Sequence, residues 1–430
     1  MVLMATMADD GENTDDDFAV EEGHRHLSAG EHHQHNAAQS YLLQLPSELL
    51  LHILSGLSAL DLVRASRTCR TLAQHASNDL LWADILNASI PFEIDDPGVF
   101  SSFRSLYAAY FPCWFIPQSK IWFADTEHTG NLILARYDSR RGVIEAYRVV
   151  AERRDRALQF WERNPEVIVQ AFHPKVSLWL DDPVLLLRSK PTRDGGPLRL
   201  LRFLNNETRM PMQLESQAVY NSFTLCSNET AGDGDSWDSE NLWPPPRIPS
   251  NHWVYRDSDT EMAECYKRPR RLNEVSETAF RVRRWARMGM SVFGVGSTET
   301  LTTFGTLDPS LYTPTKEKPY QGIWVGDYSA HGCEFLLFLQ RDQSEMSTSH
   351  PPEDADSSSW DRRTARNQNS LEAIKLTGDP NVPRGEISFV AHDIGPGGFI
   401  RVTDEALFPN ARVVRSQGHV AGLGFRDGKY

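Results

Sequence analysis

The chain has 430 residues and a formal net charge of −14, long enough for two or three domains. Residues 1–36 hold nine acids against one arginine, a balance that excludes a generally basic nucleic-acid binder. No apolar run approaches the roughly eighteen residues of a membrane-spanning helix, and the acidic opening MVLMATMADDGENTDDD is not a secretory signal.

Residues 1–40 are acidic and poor in large apolar groups, so they are expected to be disordered. His24, His26, His32, His33 and His35 cluster there without Cys or patterned carboxylates, and read as a solvated tail rather than a metal site. At Tyr41 the pattern changes. Leu49, Leu50, Ile53, Leu54 and Leu57 follow Leu45-Pro46-Ser47-Glu48 at helical spacing. Pro46 near the start and Gly56 at the end bound this helix. Ser58 caps a second helix with Leu62 and Ala65, a third carries Cys69, Leu72, Ala73 and Ala76, and Leu80, Leu81, Trp82 and Ile85 make a fourth. So many helices in so few residues form an undersized core, whose surplus apolar stripes are expected to continue onto a partner. Residues 98–111 predict one more helix, read as a stalk.

After Pro112 the hydrophobic period becomes two. Strands are predicted at 121–123, 131–137, 142–150, 167–172, 184–187, 301–306, 322–328, 334–339 and 387–390, separated by Gly, Pro, Asp and Asn. The expected fold is α+β: a small all-α unit, then a mainly antiparallel, barrel-like β domain with inserted helices and disordered loops. Residues 340–370 read as such a loop. Residues 262–290 read as a basic insertion. Lys267-Arg268-Pro269-Arg270-Arg271 precedes an expected helix with Val275, Ala279, Val282 and Trp285 on one side and Arg281, Arg284 and Arg287 elsewhere. A solvated face, a nuclear-import patch and contact with an acidic partner are the readings it admits.

No catalytic constellation stands out: there is no GxxxxGK[ST], HExxH or GxSxG. His331 and Cys333 do not make a convincing nucleophile pair. The five scattered cysteines, Cys69, Cys113, Cys226, Cys265 and Cys333, contain no CxxC. They suit reduced thiols in a cytoplasmic or nuclear protein. The chain is therefore expected to be a non-enzyme without cofactor or metal, and with neither nucleic acid nor membrane as partner.

Two resemblances add to this. Leu45-Pro46-x-Glu48-Leu49-Leu50-x-x-Ile53-Leu54, then Asp61-Leu62-Val63, Cys69-Arg70 and Leu80-x-Trp82 resemble an F-box, with Thr68 where Val is usual. That resemblance gives the domain order: tail 1–40, F-box 41–86, helical linker 87–112, β domain 113–430. It implies docking on the Skp-type adaptor of a cullin-RING ubiquitin ligase core. Leu45, Pro46, Leu49, Leu50, Ile53, Leu54 and Trp82 are the candidate contacts, each of which could instead be core. Secondly, residues 319–334, 375–385 and 418–425 (PYQGIWVGDYSAHGCE, KLTGDPNVPRG and GHVAGLGF) are similar to segments of the F-box only protein 31 family, in the same order.

Members of that family are substrate receptors of Skp-cullin-F-box ligases whose β-barrel-like domain binds substrate C-terminal ends. One branch is associated with cyclin turnover and with C-terminally amidated proteins. The resemblance implies a substrate site at Tyr328, His331, Gly378, Asp379, Pro380 and Asn381. Gly378-Asp379-Pro380-Asn381 is also a strong turn sequence in its own right. A carboxylate at Asp379 would accept from a terminal amide and repel a terminal carboxylate. Other readings are an F-box scaffold outside a ligase, and a small-ligand barrel or hydrolase.

Overall fold

The computed structural model describes residues 40–126, 129–161, 164–189, 203–204, 206–210, 219–227, 268–287, 297–306, 308–328, 332–341, 369–379, 381–403, 409–422 and 426–429. The expected disordered tail and nearly all of the expected loop at 340–370 lie outside these residues. The chain divides into two units, Met1–Leu50 and Leu51–Tyr430. In the first, a 3-10 turn (Tyr41–Gln44) leads into α1 (Ser47–Ser55), whose last residues belong to the second.

The second unit continues with α2 (Ala59–Ser66), α3 (Arg70–Ala76), α4 (Asp79–Ala88), α5 (Phe103–Tyr110) and α6 (Phe115–Ser119). Side chains cap the starts of α2, α3 and α4, Ser58 as expected from the sequence. Ser58 accepts from the Asp61 N–H, Cys69 Sγ from the Leu72 N–H, and Asn78 from the Leu80 N–H. Ser102 and Ser105 cap α5 reciprocally.

Nine strands then form an antiparallel sheet: β1 (Ile121–Ala124), β2 (Leu132–Asp138), β3 (Val143–Trp161), β4 (Asn164–Leu178), β5 (Leu185–Arg188), β6 (Thr208–Met210), β7 (Val219–Ser227), β8 (Val275–Arg287) and β9 (Ser297–Gly305). Their order is β4-β3-β2-β1-β9-β8-β7-β6, with β5 on the first half of β3. The sheet curls enough for edge strands β5 and β6 to meet, where the Leu186 N–H points at Met210 Sδ, 3.3 Å away.

A second antiparallel sheet contains β10 (Gly322–Asp327), β11 (Cys333–Arg341), β12 (Ser370–Lys375) and β13 (Ile387–Ala391). Two ribbons follow: β14 (Phe399–Val402) with β15 (Arg412–Val414), and β17 (Val420–Gly422) with β18 (Arg426–Lys429). Between them the short β16 (Gln417–Gly418) pairs β13. The fold is α+β.

Alternation along β1 and β2 explains how the layers stack. Trp122 and Ile133 turn to one side and join a large buried cluster with Leu62, Leu86, Leu106, Tyr110 and Phe280. Phe123 and Leu132 turn to the other side and pack with Phe335, Leu337, Leu339 and Ile374 of the second sheet. The larger cluster is lined by buried aromatic rings whose indole N–H groups are satisfied. Trp82, Trp114 and Trp122 donate to the carbonyls of Ala76, Tyr107 and Ile116 at 2.8, 2.9 and 3.0 Å.

Two expectations need correction. The segment read as a helical stalk is no spacer: Phe103, Leu106 and Tyr110 belong to the same buried cluster as the first sheet. The basic insertion is also misread. Residues 275–287 are strand β8, hydrogen-bonded between β7 and β9. Spacings of three and four between apolar residues fit both periods over so short a stretch. Buried Phe280 and Val282 stand two apart on the core face, while Arg283 pairs with Glu207 at 3.2 Å and Arg284 with Asp182 at 3.5 Å. Arg268, in the preceding run, also pairs with Glu207, whereas Lys267 lies outside the described residues.

Candidate functional site

Helix α1 carries two apolar stripes. Leu50 and Leu54, one turn apart, are 2 % and 4 % exposed, whereas Leu49 and Ile53 are 50 % and 47 % exposed. In α4, Trp82 is buried and Leu80 is 73 % exposed. Of the candidate adaptor contacts, Leu49, Ile53 and Pro46 thus face solvent, Leu45 is half-buried, and Leu50, Leu54 and Trp82 are interior side chains. Leu80 was not among the candidates, although a leucine beside a core-facing Leu81-Trp82 pair on a helix points elsewhere by geometry alone.

The second surface is the outer face of the five-stranded sheet. Register places Trp324 opposite Leu336, and Phe338 opposite Gly322 and Ala373, with Phe389 beyond. Their rings form a ladder: Trp324 stacks on Phe338 at 5.5 Å, and Phe338 meets Phe389 edge-on at 5.5 Å. Trp324 is 47 % exposed, and its indole donates to the Tyr320 carbonyl. An outward sheet face normally carries polar residues; this one is aromatic.

At one end of this face the chemistry changes. Gly326 pairs with Glu334, and Leu336 with Lys375, so Glu334 and Lys375 are diagonal neighbours on the same face as the ladder. Lys375 is 1 % exposed. Its Nζ lies 2.6 Å from Glu334 Oε2 and 2.6 Å from Asp379 Oδ2, and the Tyr328 ring covers it at 4.2 Å. Tyr328 can fold back over the sheet because residue 326 is glycine: a Cβ there would come within 2.8 Å of the ring. The Tyr328 hydroxyl bonds Ser388 of β13. Asp379 closes its own turn, with Oδ1 accepting from the N–H groups of Asn381 (2.6 Å) and Val382 (2.7 Å).

The electrostatics follow from one ammonium between two buried carboxylates. Burial lifts Glu334 to about 7, helped by the neighbouring Asp379 carboxylate and opposed by Lys375. Burial acts on Asp379 in the same sense, but the Lys375 and Val382 bonds outweigh it and hold Asp379 down at about 2. Burial also raises Tyr328. The cluster thus separates two carboxyl groups, one firmly ionised and one poised near neutrality.

The turn is anchored to the first sheet. Gly378 N–H donates to the Thr129 carbonyl, and buried Arg384 donates to the carbonyls of Thr126 (2.9 Å) and Asp125 (3.1 Å). Gly130, at φ +61°, permits this approach, since a Cβ would lie 2.8 Å from the Leu376 carbonyl. Desolvation raises half-buried Asp125 to about 6 and lowers buried Arg384 to about 10.

Of the residues proposed for substrate binding, Tyr328 and Asp379 meet at this cluster. Asn381 contributes a backbone N–H to the turn, Gly378 donates its own to the Thr129 carbonyl, and His331 and Pro380 lie outside the described residues. Sequence reasoning missed Lys375, Glu334 and Ser388. A charged residue two positions after Ala373 on a strand was the available signal for Lys375.

Comparison with known proteins agrees with the two-part architecture. Residues 42–88 match the F-box-like domain, a module typical of non-catalytic receptor subunits. Residues 304–430, which include the whole five-stranded sheet, match the cyclin D1 binding domain. Protein EXECUTER 2, chloroplastic, of Arabidopsis thaliana is 33 % identical over 122 residues, covering 26 % of this chain and 16 % of that protein's length.

Proposed function

We propose that this chain is the substrate-recognition subunit of a Skp-cullin-F-box ubiquitin ligase, of the kind found in the F-box only protein 31 family. The exposed leucine and isoleucine of α1 dock on the Skp-type adaptor, and the outer face of the five-stranded sheet receives the C-terminal end of a substrate. Cyclin-like and C-terminally amidated proteins are the substrate classes. Ubiquitin transfer belongs to the cullin-RING core, and this chain contributes proximity.

The observation that carries the reading is the aromatic ladder Trp324–Phe338–Phe389 ending at the buried Lys375–Glu334–Asp379 cluster. An apolar surface terminated by a few convergent polar groups suits a chain end with an apolar side chain. Two carboxylates around one ammonium leave no surplus positive charge for a terminal carboxylate, and a terminal amide, a neutral donor, suits the site better.

The test is fluorescence-anisotropy binding of peptide pairs, identical except for amide or carboxylate ends, to the full chain co-purified with its Skp-type adaptor. Tighter binding of the amide is expected. A well-folded complex that binds neither peptide overturns the reading.

A further inference from the structure

Strand β10 is an open edge of the second sheet. It stands first in the strand order, with β11 as its one strand neighbour among the described residues. Within those residues the main chain of 322–326 hydrogen-bonds only to β11. In an antiparallel pair alternate residues bond across, so the remaining N–H and C=O groups of β10 point away from the sheet. Proteins normally protect such an edge with charge, proline, a bulge or brevity. The opposite edge, β16, has only two residues, Gln417–Gly418. Strand β4, an edge of the first sheet, carries Pro174 and Lys175. Strand β10 has none of these devices: its six residues, GIWVGD, hold no proline and no charge before Asp327, and its register with β11 is unbroken from Gly322 to Asp327. Its apolar side is also unfinished. Ile323 and Val325 pack against the cluster of Phe335, Leu337 and Leu339, yet they are half-buried while those three are buried. Trp324, on the outer face, is exposed. One more strand, about 4.8 Å beyond β10, would cover all three side chains.

We infer that β10 receives an added β-strand, and that this strand is the extended tail of the substrate. This rests on the substrate-receptor reading above. The choice of occupant follows from where β10 leads. It runs from Gly322 toward Gly326 and Tyr328, and there the outer face ends. A tail whose last residue lies at that end must run parallel to β10. Main-chain bonds to the edge read no sequence, but alternate side chains of the tail point to opposite faces. One set would lie beside Ile323 and Val325, the other beside Trp324. The substrate class is thus a chain end that can be extended, with apolar residues at a period of two and no proline in the paired stretch.

The experiment changes the ligand's main chain and leaves the protein intact. The probe is a fluorescein-labelled peptide of about eight alternating valine and threonine residues, with amide and carboxylate ends, bound to the full chain with its adaptor. A series of the tighter form carries one N-methylated backbone amide at each position in turn. Methylation at every second position is expected to weaken binding at least about tenfold, and at the positions between to change it less than about threefold, because only alternate amides of an edge-paired strand face their neighbour. Tolerance throughout the series, or losses without a period of two, overturns edge pairing and leaves the receptor reading standing. A folded complex that binds neither end form overturns both.

Hydrogen exchange reads the same pairing from the protein's side. Outward amides of β10 are free to exchange until a strand covers them. Saturating peptide is expected to slow exchange at least about tenfold at some amides of residues 322–326, and unchanged exchange there by a bound peptide overturns the proposal. The same measurement as a function of protein concentration separates a second copy of the chain. Protection that grows with concentration, accompanies a dimer and is indifferent to peptide assigns the edge to self-pairing and overturns the substrate assignment.

Discussion

Lys375 holds four parts of the second sheet at one point: Glu334 on β11, the Asp379 turn, the Tyr328 ring and, through Tyr328, Ser388 on β13. Removing the cation would leave two carboxylates facing each other in the interior. Lys375→Met should therefore cost about 3–5 kcal/mol, read as a drop in the urea midpoint, although methionine fills much the same space. The pH dependence has two opposite signs. Glu334 is raised from its ordinary 4.5 to about 7, so its stabilising contribution is complete below its unfolded value and is lost as pH rises through about 7. Asp379 is lowered from 3.8 to about 2, so its contribution is present above 3.8 and is lost as pH falls through about 2. The thermal midpoint should fall between about pH 5 and pH 8, and Glu334→Gln should flatten that fall. An equal fall in the variant would assign it elsewhere, with Asp125, raised to about 6, the next group to test.

Helix α1 shows how one short element can serve two surfaces. Its nine residues, SELLLHILS, hold too many large apolar groups for one face. Leu50 and Leu54 turn inward, and Leu49 and Ile53 outward. Leu49→Ala with Ile53→Ala should change stability by no more than about 0.5 kcal/mol per site, as exposed positions do, and should abolish co-purification with the Skp-type adaptor. Retention of the adaptor would move the docking surface away from α1. Leu62→Ala, at a fully buried position of α2, should instead cost about 2–5 kcal/mol.

At the scale of the molecule, the helices from α2 to α6 and the first sheet bury one common cluster, from Leu62 and Trp82 through Tyr110 and Trp122 to Phe280 and Phe304. Helices of this size are marginal alone, and here the sheet supplies the missing apolar surface. A chain beginning at Ile121 should therefore lose near-UV circular dichroism and bind a hydrophobic dye, since the sheet's inner face would be exposed. A rigid, dye-silent fragment would mean that the sheet closes its own core. The second sheet hangs on the opposite face through Phe123 and Leu132, which leaves its aromatic ladder facing outward.

Much of this was legible in the chain itself. The cap at Ser58 and the switch from a period near four to a period of two after Pro112 follow from local chemistry and spacing, and the F-box resemblance was carried by motif residues between 45 and 86. So did the turn at Asp379, because Asp and Asn close such turns with their own side chains. Other features are set by partners distant in the chain, and no local pattern encodes them. Whether 275–287 is helix or strand depends on β7 and β9 supplying hydrogen bonds on both sides. Whether Ile53 or Leu54 faces inward depends on where the core lies. That Glu334, Lys375 and Asp379 share one buried point depends on strand register, since a shift of one residue would send Lys375 to the opposite face.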